Sequence, residues 1–132
     1  AGMIVAAQKE VKVIGVQSDA SKFLYEEFHG RDMNQVVELP SLADGLAGAV
    51  EPGAETIRAI HGASDMLLVT EEQITEAIRY CYKEHEQVIE GSGAVGVALF
   101  LSGQLNGDGN IVVLVTGVNI DEDKFKKIVS SR

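Results

Sequence analysis

The sequence predicts an α/β fold of three layers, a mainly parallel sheet of at least three strands with helices on both faces. Two observations carry this. Three short runs, residues 11–17 (VKVIGVQ), 66–70 (MLLVT) and 111–115 (IVVLV), are apolar at nearly every position and hold most of the β-branched residues in their neighbourhoods, as strands buried on both faces do. The stretches between them are long enough for helical crossovers, which parallel strands require and which run right-handed. Composition agrees: the chain has 132 residues, 45% hydrophobic and 23% charged, with fourteen glycines against two prolines, so it can bury a real core. Residues 1–132 read as a single domain.

Taken in order, residues 1–8 are small and apolar with no cap before them and read as a helix entered midway, ended by Lys9 and Glu10. The strand at 11–17 follows, with Gly15 allowing a neighbour to approach closely. Ser18 or Asp19 can cap a helix through about His29, striped by Phe23, Leu24, Tyr25 and Phe28 and closed by Gly30. Residues 31–42 form an irregular connection anchored by Val36, Val37 and Leu39. LADGLAG, residues 42–48, suits a backbone bend pressed against a ligand or another strand, although Asp44-Gly45 also reads as a plain turn. A helix over 51–62 turns Ile57 and Ile60 inward.

Thr70-Glu71-Glu72-Gln73 after the second strand is a capping box and starts a helix to about Glu86. Ile74, Ala77, Ile78, Cys81 and Tyr82 form its inner face, with Glu76, Arg79 and Lys83 outward. A helix over 92–101 is apolar all round and therefore buried; Glu90 stands at its entrance, either at a crevice or satisfying the helix dipole. Residues 104–110 form a polar turn, too short and glycine-rich for a calcium loop. The strand at 111–115 then opens into Thr116, Gly117, Val118 and Asn119, where a central strand's carboxyl end meets the usual ligand crevice of an α/β sheet; the same residues also serve simply to end the strand and cap the next helix.

Several classes are excluded or weakened. A formal net charge of −9, with no basic cluster interleaved with aromatics, argues against nucleic acid. No apolar stretch approaches the length of a membrane span, and residues 1–16 lack a secretory pattern. A single cysteine, Cys81, fits a small buried position better than a nucleophile and indicates a reducing, cytoplasmic setting. His85, near its helix end, reads as a dipole-compatible surface or rim residue rather than a metal ligand, and His29 and His61 are no better placed.

Four phrases in order, LADGLA (42–47), VTEEQITEAI (69–78), EGSGAVGVALFLSGQL (90–105) and LVTGVNID (114–121), together resemble the C-terminal part of the catalytic domain in the serine/threonine dehydratase family. These are fold-type II enzymes that use pyridoxal phosphate and include threonine deaminases and serine racemases. The resemblance covers nearly the whole chain and implies four cofactor-binding positions. Thr116 falls where a hydroxyl meets the pyridine nitrogen, with Asn119 in the same turn. Gly45 matches the glycine beside the ring, and Glu90 the carboxylate near the ring's hydroxyl side. Val118 replaces the family's usual second glycine.

The implied reaction is loss of water from L-threonine or L-serine, giving a 2-oxo acid and ammonia. A hydroxyl cannot stabilise a ring cation as a carboxylate does, so the ring is a weaker electron sink and prompt departure of the β-hydroxyl is favoured. The seven lysines, Lys9, Lys12, Lys22, Lys83, Lys124, Lys126 and Lys127, do not lie in the family's Schiff-base motif, and its glycine-rich phosphate loop is not found. The chain is therefore expected to be the C-terminal part of a larger catalytic domain, inactive alone, joining either the remaining portion or further copies of itself. The other reading is a non-catalytic α/β binding or interaction domain descended from such an enzyme. Gln17 and Phe23 stand where some members place acidic ligands to a divalent cation, so no such metal is expected.

Overall fold

The computed structural model describes residues 2–7, 10–105 and 109–131. In order the elements are α1 (Gly2–Ala6), β1 (Ile14–Ser18), α2 (Phe23–Phe28), α3 (Glu55–Ile60), β2 (Asp65–Val69), α4 (Glu71–His85), α5 (Gly91–Leu101) and α6 (Glu122–Ser130), with 3-10 turns at Met33–Gln35 and Asp44–Leu46. The architecture is α/β, with a parallel sheet flanked by helices.

β1 and β2 pair in parallel, with Ile14 opposite Asp65 and Ser18 opposite Val69. The close approach expected at Gly15 is real: it sits opposite Met66, and a Cβ there would overlap the Met66 thioether. Residues 111–115 do not form the third strand that their composition predicts, and among the described residues the sheet has two strands. They run beside α5, where Val113 packs against the core and a Cβ on Gly96 would lie 2.9 Å from its Cγ1. Ile111, Val112, Leu114 and Val115 are exposed. β-Branched residues favour a pleated, half-buried surface, but a strand exists only with a ladder partner, and no described strand pairs with this segment.

The core is built from α4 and α5. The expected capping box forms in full: Gln73 N donates to Thr70 Oγ1 at 3.2 Å, and Thr70 N donates to Gln73 Oε1 at 2.9 Å. α4 ends where Glu86 takes a left-handed φ of 53°, while the Glu86 and Gln87 amides close back on Tyr82 and Cys81. Ile74, Ala77, Ile78 and Cys81 are buried as their spacing requires, and they meet Ala94, Val95, Val97, Ala98 and Leu99 of α5. α5 is thus buried along most of its length, although Phe100 and Leu101 reach the surface.

Several local expectations change. Tyr82 faces out, edge-on to Phe125 of α6 with ring centroids 5.1 Å apart. Arg79, expected outward, donates from Nε to the Ile128 carbonyl at 2.7 Å and from its guanidinium to Ser131 Oγ at 2.9 Å, clasping α6 to α4. The residue before α2 is Lys22, without a side-chain cap; Ser18 instead belongs to β1 and Asp19 is exposed. α6 is capped by Asp121, whose Oδ1 accepts from Lys124 N at 2.9 Å, rather than by the TGVN turn. α1 ends at Ala6, before the expected stop; Lys9, and the turn phrase at Asn106, Gly107 and Asp108, lie outside the described residues.

Candidate functional site

The N-terminal end of α5 gathers all four of the residues singled out from the sequence. Glu90 is its N-cap residue by backbone position, but its carboxylate does not cap the helix. It turns toward the TGVN segment, where Oε2 accepts from Asn119 N at 3.1 Å, while Glu90 N donates to the Gly117 carbonyl at 3.2 Å. Gly117 has φ 85°, and a Cβ there would overlap the Glu90 carboxylate, so glycine satisfies both the left-handed backbone and the close approach. Thr116 reaches the same place through its backbone: its carbonyl lies so close to Gly93 that any Cβ on Gly93 would overlap it. The Thr116 residue is exposed, and its hydroxyl makes no hydrogen bond among the described residues.

Gly45 arrives from the other side. It lies in the 3-10 turn Asp44–Leu46, with its amide donating to Asp44 Oδ1 at 2.8 Å, and a Cβ on it would come within 2.9 Å of Ser92 Oγ. That hydroxyl is buried without a hydrogen-bond partner among the described residues, an unusual state for a buried polar atom. The turn is pressed onto α5 by its own chain, because the Leu42 carbonyl occupies the space where Gly91 would otherwise carry a Cβ.

Two carboxylates that sequence reasoning passed over hold this loop. Glu71 accepts from Ser18 Oγ at 2.5 Å, Ser41 Oγ at 2.6 Å and Leu42 N at 2.6 Å. Glu38 accepts from Ser21 Oγ at 3.0 Å and Gly48 N at 2.7 Å. The expected apolar anchors Val37 and Leu39 are exposed, at 77% and 58%, and only Val36 is partly buried. A loop has many backbone donors without partners, and charged acceptors meet that need where apolar side chains cannot. The one available signal was that the capping box uses Thr70 and Gln73 and leaves the Glu71 side chain without a task.

Other candidates sit elsewhere. Burial pushes the Cys81 thiol above its ordinary range, the wrong direction for a nucleophile. Gln17 uses its amide oxygen to accept from Tyr25 N at 2.8 Å, and Phe23 is buried in the core. His29 and His61 both pack against Phe28, with His29 Nε2 3.3 Å from the Met66 carbonyl and His61 facing Glu27, while His85 packs edge-on against Tyr80 on α4. Among the lysines, Lys22 pairs with Glu26 and Lys126 with Glu122, away from α5.

Glycine-lined turns of a parallel α/β scaffold thus converge on one helix N-terminus. Residues 1–117 match the family described as pyridoxal-phosphate dependent enzyme, and the chain belongs to that family. An "L-threonine dehydratase catabolic TdcB" of Staphylococcus aureus (strain USA300) is 33% identical over 124 residues, covering 90% of this chain and 36% of that protein. Among solved structures, a threonine deaminase of T.th. matches with a TM-score of 0.76 at 25% identity, over 89% of this chain and 43% of that one. The processed form of threonine deaminase isoform 2 from Solanum lycopersicum gives a TM-score of 0.76 at 27% identity, over 96% and 37%. The chain therefore spans well under half the length of these relatives. They bear out the parallel α/β fold and the likeness to threonine deaminases, and the family's cofactor is pyridoxal phosphate.

Proposed function

We propose that this chain forms one wall of the pyridoxal-phosphate site in an enzyme that removes water from L-threonine or L-serine. The observation that carries the reading is the meeting of Gly45, Glu90, Thr116 and Asn119 around the N-terminus of α5. The residues fit one edge of the cofactor: Thr116 is exposed, and neither its hydroxyl nor the Ser92 hydroxyl beside Gly45 has a hydrogen-bond partner among the described residues. They do not supply its covalent anchor, because among the described residues no lysine belongs to the cluster.

When bound, pyridoxal phosphate supplies an electron-withdrawing ring conjugated to the substrate amine. Thr116 would hold the ring nitrogen through a hydroxyl, which cannot stabilise a ring cation as a carboxylate does, so the group bound here would be a weaker electron sink. Glu90, held by the Asn119 amide, would stand near the ring's hydroxyl side, and the Gly45 turn would let backbone approach the ring. The lysine and the phosphate cradle come from other segments. The exposed apolar strip made by Ile111, Val112, Leu114, Val115 and Val118 supports association with such segments or with another copy of the chain.

The test is a titration of the isotopically labelled chain with pyridoxal phosphate, followed by amide resonances. Shifts concentrated at Gly45, Gly117 and Asn119 support the reading; an unchanged spectrum at saturating cofactor, or shifts only around surface lysines, refutes it. An absorbance scan of the same samples should show no visible band of lysine-bound cofactor, and such a band would refute the claim that the anchor lies elsewhere.

A further inference from the structure

We propose that Glu71 is a positioning residue for the cofactor-facing turn, setting where Gly45 stands relative to α5; the functional half of this proposal rests on the reading above. The Glu71 carboxylate is the common acceptor for three donors from two separate segments. Ser18 Oγ comes from the end of β1, and Ser41 Oγ and Leu42 N come from the loop leading to Gly45. Glu71 is also the first residue of α4, the helix packed most extensively on α5. One side chain thus ties the sheet, the loop and the core helix together.

From the carboxylate the path to the site is short and made of stiff parts. Ser41 Oγ, while donating to Glu71, accepts from Ala43 N at 3.0 Å, and Ala43 is almost wholly buried in the core. The Leu42 carbonyl is lodged against Gly91. The Ala43 carbonyl accepts from Leu46 N at 2.9 Å and so closes the 3-10 turn that carries Gly45 against Ser92. Ser18 is fixed in its own right, with Oγ accepting from Ala20 N at 3.1 Å and its residue buried. A carboxylate accepting three charge-assisted bonds has a defined direction, which an isolated first-turn acid stabilising the helix dipole does not need. Glu72 provides that comparison: it sits one residue on in the same helix turn, exposed, with its carboxylate held locally by its own amide and the Thr70 side chain and, among the described residues, not bonded to the loop.

The experiment measures amide hydrogen exchange in the chain and in Glu71→Ala, Glu71→Gln and Glu72→Ala. In Glu71→Ala, exchange at Leu42 and Leu46 should accelerate by about tenfold or more, as expected for losing hydrogen bonds to a charged acceptor. Val97 and Leu99 inside α5 should be unaffected. Glu71→Gln keeps an acceptor oxygen and should restore much of the protection, and Glu72→Ala should match the unsubstituted chain. Slow exchange at Leu46 in Glu71→Ala, an equal effect from Glu72→Ala, or acceleration in α5 as large as in the loop would each overturn the assignment. Should Glu71→Ala fail to fold, Ser41→Ala removes a single donor; faster exchange at Leu46 supports the proposal, and an unchanged rate overturns it. Pyridoxal phosphate added to Glu71→Ala or Ser41→Ala should lose its effect at Gly45 while keeping it at Gly117, and a retained Gly45 response overturns the link to the cofactor. If the unsubstituted chain responds at neither glycine, the cofactor reading fails and the functional half with it, whereas the exchange rates still decide the clamp.

Discussion

Helix α4 and residues 111–115 both carry branched apolar side chains, yet Ile78 is wholly buried and Val112 is 89% exposed. The contrast lies in what each needs in order to fold. α4 makes its hydrogen bonds within itself, carries its own capping box, and presents one apolar face to an adjacent helix in the same chain. An extended segment makes none of its ladder bonds internally and depends on a partner strand. Apolar composition therefore states where burial is wanted, and the presence of a partner decides whether it happens.

The comparison can be tested by substitution. The largest effect is expected for Ile78→Ala, which opens a cavity in the core between α4 and α5 and should cost about 2–5 kcal/mol in a denaturant titration. A loss under about 1 kcal/mol would mean that this interface is not the stabilising centre. Gly93→Ala comes next, because its methyl meets the Thr116 backbone carbonyl rather than a side chain that can swing away. It should destabilise by about 1–3 kcal/mol through overpacking and should shift the Thr116 and Gly117 amide resonances more than those of α4. A change confined to α4 would contradict the packing of the TGVN turn on α5.

Thr70→Ala removes one half of the capping box and is expected to lose about 1 kcal/mol, read as a lower unfolding midpoint with an unchanged denaturant slope. Thr116→Ala deletes a hydroxyl that bonds nothing else in the described chain. Folding stability should stay within about 0.5 kcal/mol, while pyridoxal-phosphate affinity should weaken by about 1 kcal/mol for a single lost hydrogen bond. An unaltered affinity would remove Thr116 from the site. The smallest effect belongs to Val112→Thr, within about 0.5 kcal/mol of the parent, since the side chain is already in water. A large loss there would show that this segment is covered in solution, and a lower tendency to associate would locate the contact on the strip.

The candidate site was legible to different degrees. Glu90 and the TGVN turn stood out because a carboxylate between apolar and glycine residues, and a polar turn after an apolar run, are local anomalies. The structure adds that Asn119 reaches Glu90 through its backbone amide, a bond that carries no side-chain signature. Glu71 looked like an ordinary first-turn acid, since its three donors lie 53, 30 and 29 residues away in the chain. Val37 and Leu39 looked like anchors because they are apolar, whereas the loop is held by Glu38 and Glu71.

What the sequence determined by itself is whatever closes within a few residues or one helical period: the α4 capping box, the inward stripe from Ile74 to Cys81, the close-contact glycine at Gly15 and the buried character of α5. These depend on spacing, and spacing is written in the chain. The tertiary structure alone decided that residues 111–115 have no ladder partner among the described residues, that Arg79 turns to clasp α6, and that Glu71 gathers Ser18 with Ser41 and Leu42. Each of these is an encounter between segments distant in sequence, set by how helices and sheet pack together. Neither the apolar strip nor the acidic side chain carries a local mark of which neighbour it will meet.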